Sequence, residues 1–77
     1  MNTTTTRTQK VQLWIHTSCG LEFEFVDSAS GKSLSGRMYW CSDEDLEENE
    51  DLEDAGWEKF RKIAKSKNLE IVEEVWS

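Results

Sequence analysis

Apolar and polar residues alternate along three stretches in the first half of the chain, which is the pattern of β-strands with one buried face. The stretches are VQLWIH at residues 11–16, LEFEFVD at 21–27 and LSGRMYWC at 34–41. The segment SASGKS, before the third stretch, is rich in turn-forming residues. The pattern therefore predicts an antiparallel meander of three strands. Its inward-facing residues would be Val11, Leu13, Ile15, Leu21, Phe23, Phe25, Leu34, Met38 and Trp40.

The pairing between these strands can be predicted by matching side chains across them. If Phe23 faces Met38, then Glu24 faces Arg37 on the other side of the sheet, so apolar residues meet and an acid meets a base. A slip by one residue would set Phe25 against Arg37 and is disfavoured. The remaining predicted pairs are Leu21 with Trp40, Asp27 with Leu34, Ile15 with Leu21 and Leu13 with Phe23.

In the second half of the chain apolar residues recur at intervals of three or four, as on one face of an α-helix. Asn68 is suited to end this helix in the left-handed conformation, and LEIVEEVW at residues 69–76 has the composition of a fourth strand. Because the helix reverses the chain, we expect this strand to run parallel to the first and to lie beside it. The predicted apolar stripe of the helix comprises Leu52, Gly56, Trp57, Phe60, Ile63 and Ala64.

These elements predict an α+β fold: a single small domain, residues 9–77, with the order β-β-β-α-β and one helix packed on one face of the sheet. Residues 1–8 are polar and rich in threonine, and we expect a disordered tail there.

Negative charge is concentrated in one part of the chain. The net charge of the 77 residues is −7, but residues 43–54 hold nine of the sixteen acids and no base, which leaves +2 for the rest. Bases follow within residues 59–67, and acids before bases suit the dipole of a helix. Ser42 is a candidate N-cap, with Asp45 three residues later as an imperfect capping box.

A continuous helix over this acidic run would bring like charges together. Ten pairs of its acids are three or four residues apart, and each pair opposes a helix by roughly 0.2–0.5 kcal/mol. The sum exceeds what one cap and the dipole contribute. We therefore predict that residues 43–50 are frayed or looped and that the firm helix begins near Asp51.

The acidic run is the first candidate for a functional surface, because closely spaced carboxylates can imitate phosphates and accelerate association with a basic surface. Small acidic phage and plasmid proteins that inhibit restriction or CRISPR machinery are similar to this chain in composition, which implies a partner protein with a basic, nucleic-acid-binding surface. A solvated segment that only maintains solubility is the competing interpretation. The predicted partner-binding residues are Asp43, Glu44, Asp45, Glu47, Glu48, Glu50, Asp51, Glu53 and Asp54.

The sheet face that the helix leaves open is the second candidate. The predicted registers place Trp14, Glu22 and Tyr39 side by side, with Val72 and Trp76 near Trp14. An exposed aromatic patch is typical of a partner surface or a homodimer interface, unless the tail or the acidic run covers it. The residues predicted for this adaptor or homodimer interface are Trp14, Arg37, Tyr39 and Trp76.

Three potential metal ligands, His16, Cys19 and Cys41, are expected near one another. A closed zinc site needs four ligands, so we predict no metal site, no cofactor, and two reduced thiols that could form a disulfide under oxidising conditions. The acidic run has Glu48 where a calcium loop requires glycine, and SGKS lacks the first glycine of a phosphate loop.

The remaining residues favour a protein that is not an enzyme, since no nucleophile elbow is present and exposed carboxylates lack the burial that acid–base catalysis needs. No apolar run approaches the roughly 20 residues of a membrane span, and the N-terminal residues lack the apolar core of a secretory signal. We expect a cytoplasmic location in a bacterium or its host. The negative charge argues against direct binding of nucleic acid by the sheet and helix, and no membrane partner is predicted.

Overall fold

The structure, a computed structural model, describes residues 8–18 and 20–77. Its elements in chain order are β1 (Gln9–His16), β2 (Leu21–Asp27), β3 (Met38–Cys41), α1 (Asp43–Glu48), α2 (Asp51–Ser66) and β4 (Leu69–Trp76). The strands form one mixed sheet in the order β3-β2-β1-β4, with β4 parallel to β1 and the other pairs antiparallel. The predicted α+β fold, and the position and direction of β4, are confirmed. Of the tail predicted to be disordered, only Thr8, which is exposed, lies within the described residues.

The core lies between α2 and the inner face of the sheet, the face on which Val11, Leu13 and Ile15 are fully buried. At its centre the ring of Phe23 stacks on Phe60 with 4.5 Å between centroids. The other buried members of the core are Leu21, Phe25, Cys41, Trp57 and Ala64.

The apolar stripe predicted for the helix is confirmed, and it includes one glycine for a steric reason. A Cβ atom at Gly56 would lie 2.9 Å from the ring of Trp40, so only glycine lets α2 approach this closely. The indole Nε1 of Trp40 donates a hydrogen bond to the backbone oxygen of Leu52 at 2.8 Å, which fixes the ring against the helix. As predicted, Asn68 follows the helix with a φ of 58°.

The pairing of β1 with β2 differs from the prediction by two residues. A shift of two keeps every side chain on its predicted face, so the hydrophobic pattern cannot distinguish the two registers. The observed register brings His16 Nε2 to 2.8 Å from Glu24 Oε1 on the outer face, two groups that the predicted register would have kept apart. The corrected pairs are Ile15 with Phe23 and Leu13 with Phe25.

The pairing of β2 with β3 follows the prediction for two pairs, Phe23 with Met38 and Glu22 with Tyr39. The predicted contact of Arg37 with Glu24 is wrong, since Arg37 reaches Glu22 instead, with 3.5 Å between NH1 and Oε1. Leu34, predicted to face the core, is 45% exposed. The corrected pairs are Leu21 with Cys41 in place of Trp40, and Val26 with Ser33 as an isolated bridge in place of Asp27 with Leu34.

Serine side chains explain why β3 begins at Met38 and not at residue 34. The backbone N–H of Phe25 donates to Ser35 Oγ at 3.0 Å, where a strand would supply a carbonyl. Ser33 Oγ accepts from the backbone N–H of Gly36 at 2.9 Å, and Gly36 has a φ of 71°. Such local hydrogen bonds compete with the ladder of a sheet, and they turn this segment out of it.

A bulge in β4 overturns the prediction for its C-terminal half. Val11 faces Ile71, but Gln12 faces Glu73, so Val72 has no partner on β1. One extra residue reverses which side chains point to which face. Trp76 therefore lies beside Ile15 on the inner, helix-covered side and not near Trp14 on the outer face.

Residues 43–48 form a helix, so the predicted loop over residues 43–50 is wrong, whereas the start of α2 at Asp51 is confirmed. The capping box is complete: Ser42 Oγ accepts from the backbone N–H of Asp45, and Asp45 Oδ2 accepts from that of Ser42, both at 3.2 Å. Asn49 is extended and separates the two helices. Of the ten like-charge pairs of a continuous helix, the three that cross Asn49 lose their helical spacing.

Candidate functional site

The acidic segment, residues 43–54, occupies α1 and the first turn of α2. One leucine in each helix, Leu46 and Leu52, packs against the core and turns the neighbouring carboxylates outward. Eight of the nine carboxylate side chains are exposed and Glu53 is half-buried. The nine residues are Asp43, Glu44, Asp45, Glu47, Glu48, Glu50, Asp51, Glu53 and Asp54.

A close backbone contact holds α1 against the sheet. Gly20, in the β1–β2 loop, has a φ of 93°, and a Cβ atom there would overlap the backbone oxygen of Cys41 and lie 2.8 Å from the Cα of Ser42. Only glycine combines this conformation with so near an approach. The β1–β2 loop therefore abuts the N-cap residue of α1.

The charge of the acidic segment is not neutralised within the part of the chain that the structure describes. The ion pairs there involve the acids Glu22, Glu24, Glu58 and Glu74, and none of the nine carboxylates of the acidic segment takes part in one. No group of three or more of its acids converges as metal ligands would, within the same described ranges. The segment thus presents a dense negative surface that no base of the described residues neutralises.

The bases of α2 have other contacts. Lys59 lies over the ring of Trp40, with 5.2 Å between Nζ and the centroid, and Arg61 lies over the ring of Trp57 at 5.3 Å. Arg61 NH2 is also 3.4 Å from a carboxylate oxygen of Glu74. Lys59 and Arg61 therefore contact aromatic rings and β4. Although acids precede bases in the sequence, these two bases form no ion pair with the acidic segment.

The outer face of the sheet carries a connected polar network. His16 is buried, with Nε2 against Glu24 and Nδ1 2.9 Å from Ser77 Oγ. A hydrogen bond from Ser33, followed by the hydrogen bond and charge of His16, lowers the pKa of the Glu24 carboxyl, although burial opposes this shift. The indole of Trp14 donates to Gln12 Oε1 at 3.0 Å, and its ring stacks on His16.

The residues predicted for the aromatic interface do not form one patch. Tyr39 is 62% exposed, faces Glu22 and has the exposed Arg37 nearby, whereas Trp14 is half-buried beside Glu24. In the predicted row of Trp14, Glu22 and Tyr39, the pairing of Glu22 with Tyr39 is confirmed, but the position of Trp14 is wrong because β1 is shifted by two residues. Trp76, at 54% exposure, lies on the opposite face because of the bulge.

Two of the three candidate metal ligands, His16 and Cys41, lie on opposite faces of the sheet. His16 is on the outer face, and Cys41 is buried on the inner face opposite Leu21. Burial, together with the negative charge of Asp45, raises the pKa of the Cys41 thiol and so disfavours the thiolate that binds metals. Cys19 lies outside the described residues, and the predicted proximity of the two cysteines stays a prediction.

A groove beside the acidic segment was missed in the sequence. It is bounded by Leu21, Leu46 and Trp76, with carboxylates at its rim. Trp76 reaches this position only because of the bulge at Val72, and no residue of the local sequence IVEEV (71–75) signals a bulge. In the sequence, only the tryptophan at position 76 pointed to a surface site near the C-terminus.

The chain matches no family model, no curated protein and no solved structure in the comparisons with known proteins. Within residues 8–18 and 20–77, no helix has both the length and the apolar character that crossing a membrane requires.

Proposed function

We propose that this chain is a small non-enzymatic binding protein whose acidic segment engages the basic, nucleic-acid-binding surface of a partner protein. It would act as an inhibitor or nucleic-acid mimic, as phage and plasmid anti-defence proteins do. The observation that carries the proposal is the ordered array of nine carboxylates, none of which pairs with a base of the described chain.

The density of charge on this surface resembles that of a nucleic acid. The six residues of α1 span about 9 Å and carry five carboxylates, which is about one charge per 2 Å, against one per 1.7 Å along duplex DNA. A groove of Lys and Arg side chains that binds the phosphates of DNA can therefore contact a similar number of negative charges on this surface.

The organisation of α1 supports a role beyond solubility. Exposed carboxylates would maintain solubility equally well on a disordered segment. Here, however, a capping box and Leu46 hold α1 and its carboxylates in a fixed arrangement. Preorganised charges bind more tightly because less side-chain and loop entropy is lost on association. Such charges also accelerate association from a distance, an effect that salt screens.

The test is a quadruple variant, Glu47→Gln, Glu48→Gln, Glu50→Gln and Asp51→Asn. Affinity capture from cell extract, followed by mass spectrometry at about 50 and 500 mM salt, should recover a nucleic-acid-binding protein with the native chain at low salt only. Duplex DNA should compete for it. The variant should fold and fail to capture the partner.

The control for net charge carries four neutral substitutions elsewhere: Glu58→Gln, Glu70→Gln, Glu73→Gln and Glu74→Gln. It changes the charge by the same amount, from −7 to −3, and should capture the partner. Undiminished capture by the quadruple variant would mean that the acidic segment only solvates the protein.

An adaptor or homodimer that uses the outer face is the second candidate, and the exposure of Tyr39 favours it. Under this hypothesis Tyr39→Ala and Trp14→Ala weaken association, and salt has little effect on it. Sedimentation of the two variants and the native chain at low and high salt separates this hypothesis from the first. Trp76 belongs to a different surface and should not matter for this interface.

A further inference from the structure

The groove beside the acidic segment is large enough to hold one long side chain. It lies between the start of β2, α1, the first turn of α2 and the end of β4, and its volume is about 380 Å³. This is near the lower limit of small-molecule sites, about 300–1,000 Å³. Leu21 and Leu46 form an apolar floor. Three carboxylates, those of Asp43, Glu50 and Glu53, line it, and no base is among the described residues around it.

Trp76 forms the wall of this groove because of the bulge in β4. Without the extra residue Val72, Trp76 would point to the outer face. In the observed register its ring packs against Trp57, with 5.9 Å between centroids, and 54% of the residue stays exposed. Bulges commonly re-aim side chains next to binding sites. The indole thus lines the same groove as the three carboxylates and lies on the face opposite the polar network.

The residues that line the groove indicate which kind of side chain it would bind. An apolar floor and an indole face favour a hydrocarbon stem, and three carboxylates without a base favour a positive charge at its end. Lysine and arginine side chains have this form. Arginine fits better, because its planar guanidinium both stacks on indole and donates to carboxylates.

The chain itself shows this combination twice. Arg61 stacks on Trp57 and approaches the carboxylate of Glu74, and Lys59 lies over Trp40. Both rings are thereby covered by the chain's own bases. Among the described residues no cation lies over the ring of Trp76, and this ring and the half-buried Glu53 line the same groove.

We infer that this groove receives an arginine or lysine side chain from a basic segment of the partner protein. The inference rests on the proposed function and adds to it the point at which the partner is anchored. The carboxylates of α1 and α2 attract the basic surface, and Trp76 together with Glu53 holds one of its side chains.

A defined probe tests the groove without knowledge of the partner. The chain has four indole N–H groups, whose NMR signals should be separate and can be followed during titration of ¹⁵N-labelled protein with a tetra-arginine peptide. The Trp76 signal should shift to saturation. The Trp14 signal, from the outer face, should stay in place. A tetra-citrulline peptide, which has the same shape without charge, should leave both signals unmoved.

Two substitutions locate the contact. Trp76→Leu keeps an apolar wall and removes the indole face, and we expect it to weaken peptide binding roughly five- to thirtyfold. Glu53→Gln removes a half-buried carboxylate and should weaken binding by a similar factor. The matched control is Tyr39→Ala, an exposed aromatic on the opposite face, which should bind as the native chain does. The remaining indole signals report whether each variant is folded.

Equal peptide affinity for Trp76→Leu and the native chain would overturn the inference, because binding would then be diffuse attraction to the acidic segment. The proposed function would survive that result if the quadruple variant still lost the peptide and the partner. A Trp76 signal that shifts on dilution without peptide would also overturn it, since a second copy of the chain would then occupy the groove.

Discussion

The two helices of this protein share one acidic segment but depend on different interactions. α2 buries four residues, Gly56, Trp57, Phe60 and Ala64, whereas α1 buries none and is held by its capping box and the half-buried Leu46. Three bases of α2, Lys59, Arg61 and Lys62, lie over tryptophan rings or pair with acids outside the acidic segment, and no base of the described chain pairs with α1. α2 is therefore required by the core. The capping box and Leu46 stabilise α1 only slightly, and the carboxylates of α1 are free of ion pairs within the described chain.

The largest expected difference between the helices concerns their apolar contacts. Phe60→Ala in α2 removes a ring stacked on Phe23 and should lower the free energy of unfolding by about 3–5 kcal/mol. Leu46→Ala in α1 removes a half-buried side chain and should cost about 1 kcal/mol. Urea denaturation followed by tryptophan fluorescence measures both losses. Equal losses would show that α1 belongs to the core as much as α2 does.

The next test concerns the close approach of α2 to the sheet. Gly56→Ala would gain about 1 kcal/mol of helix propensity, but its Cβ would collide with Trp40, so we expect a net loss of about 1–2 kcal/mol. Ala55→Gly, at the exposed neighbouring position, measures the propensity contribution alone. A more stable Gly56→Ala variant would mean that the Trp40 ring moves aside freely.

Much of the fold follows from patterns that the sequence displays directly. The alternation in β1 and β2 predicts which face of these strands is buried, and the stripe through Trp57 and Phe60 predicts which face of α2 covers the sheet. Asn68 predicts the end of the helix. Each of these signals depends on local periodicity or on the backbone preference of one residue, and the structure confirms them.

The predictions that were wrong concern strand registers and a bulge, which leave no signal in the local sequence. The two-residue shift of β1 against β2 leaves the same residues inside, so the registers differ in polar contacts such as that of His16 with Glu24. The bulge at Val72 moves Trp76 to the other face and cannot be read from its neighbours. Consequently the acidic surface was predicted from the sequence, whereas the groove next to it was not.

A smaller effect is expected at the start of α1, where the capping box opposes the repulsion between its acids. Ser42→Ala removes the acceptor of the Asp45 N–H and should cost about 1 kcal/mol. The loss should be local, so hydrogen exchange in α1 should accelerate while the amides of α2 keep their protection. Ser66→Ala, which removes a hydroxyl at the end of α2, is the control and should leave α1 unchanged. Accelerated exchange in both helices would contradict the separation between them.

The smallest effect is the most direct measure of the charge difference, because it should have opposite signs in the two helices. Glu48 ends α1, where it meets like charges and the negative end of the helix dipole, so Glu48→Gln should stabilise α1 by about 0.2–0.5 kcal/mol. Glu58 precedes Lys62 by one turn of α2, with 3.7 Å between the charged groups, so Glu58→Gln should destabilise by a similar amount. Hydrogen exchange at low salt detects both changes, and about 1 M salt should abolish them. Destabilisation by both substitutions would mean that Glu48 has a favourable partner, and the charge of α1 would then be needed by the fold itself.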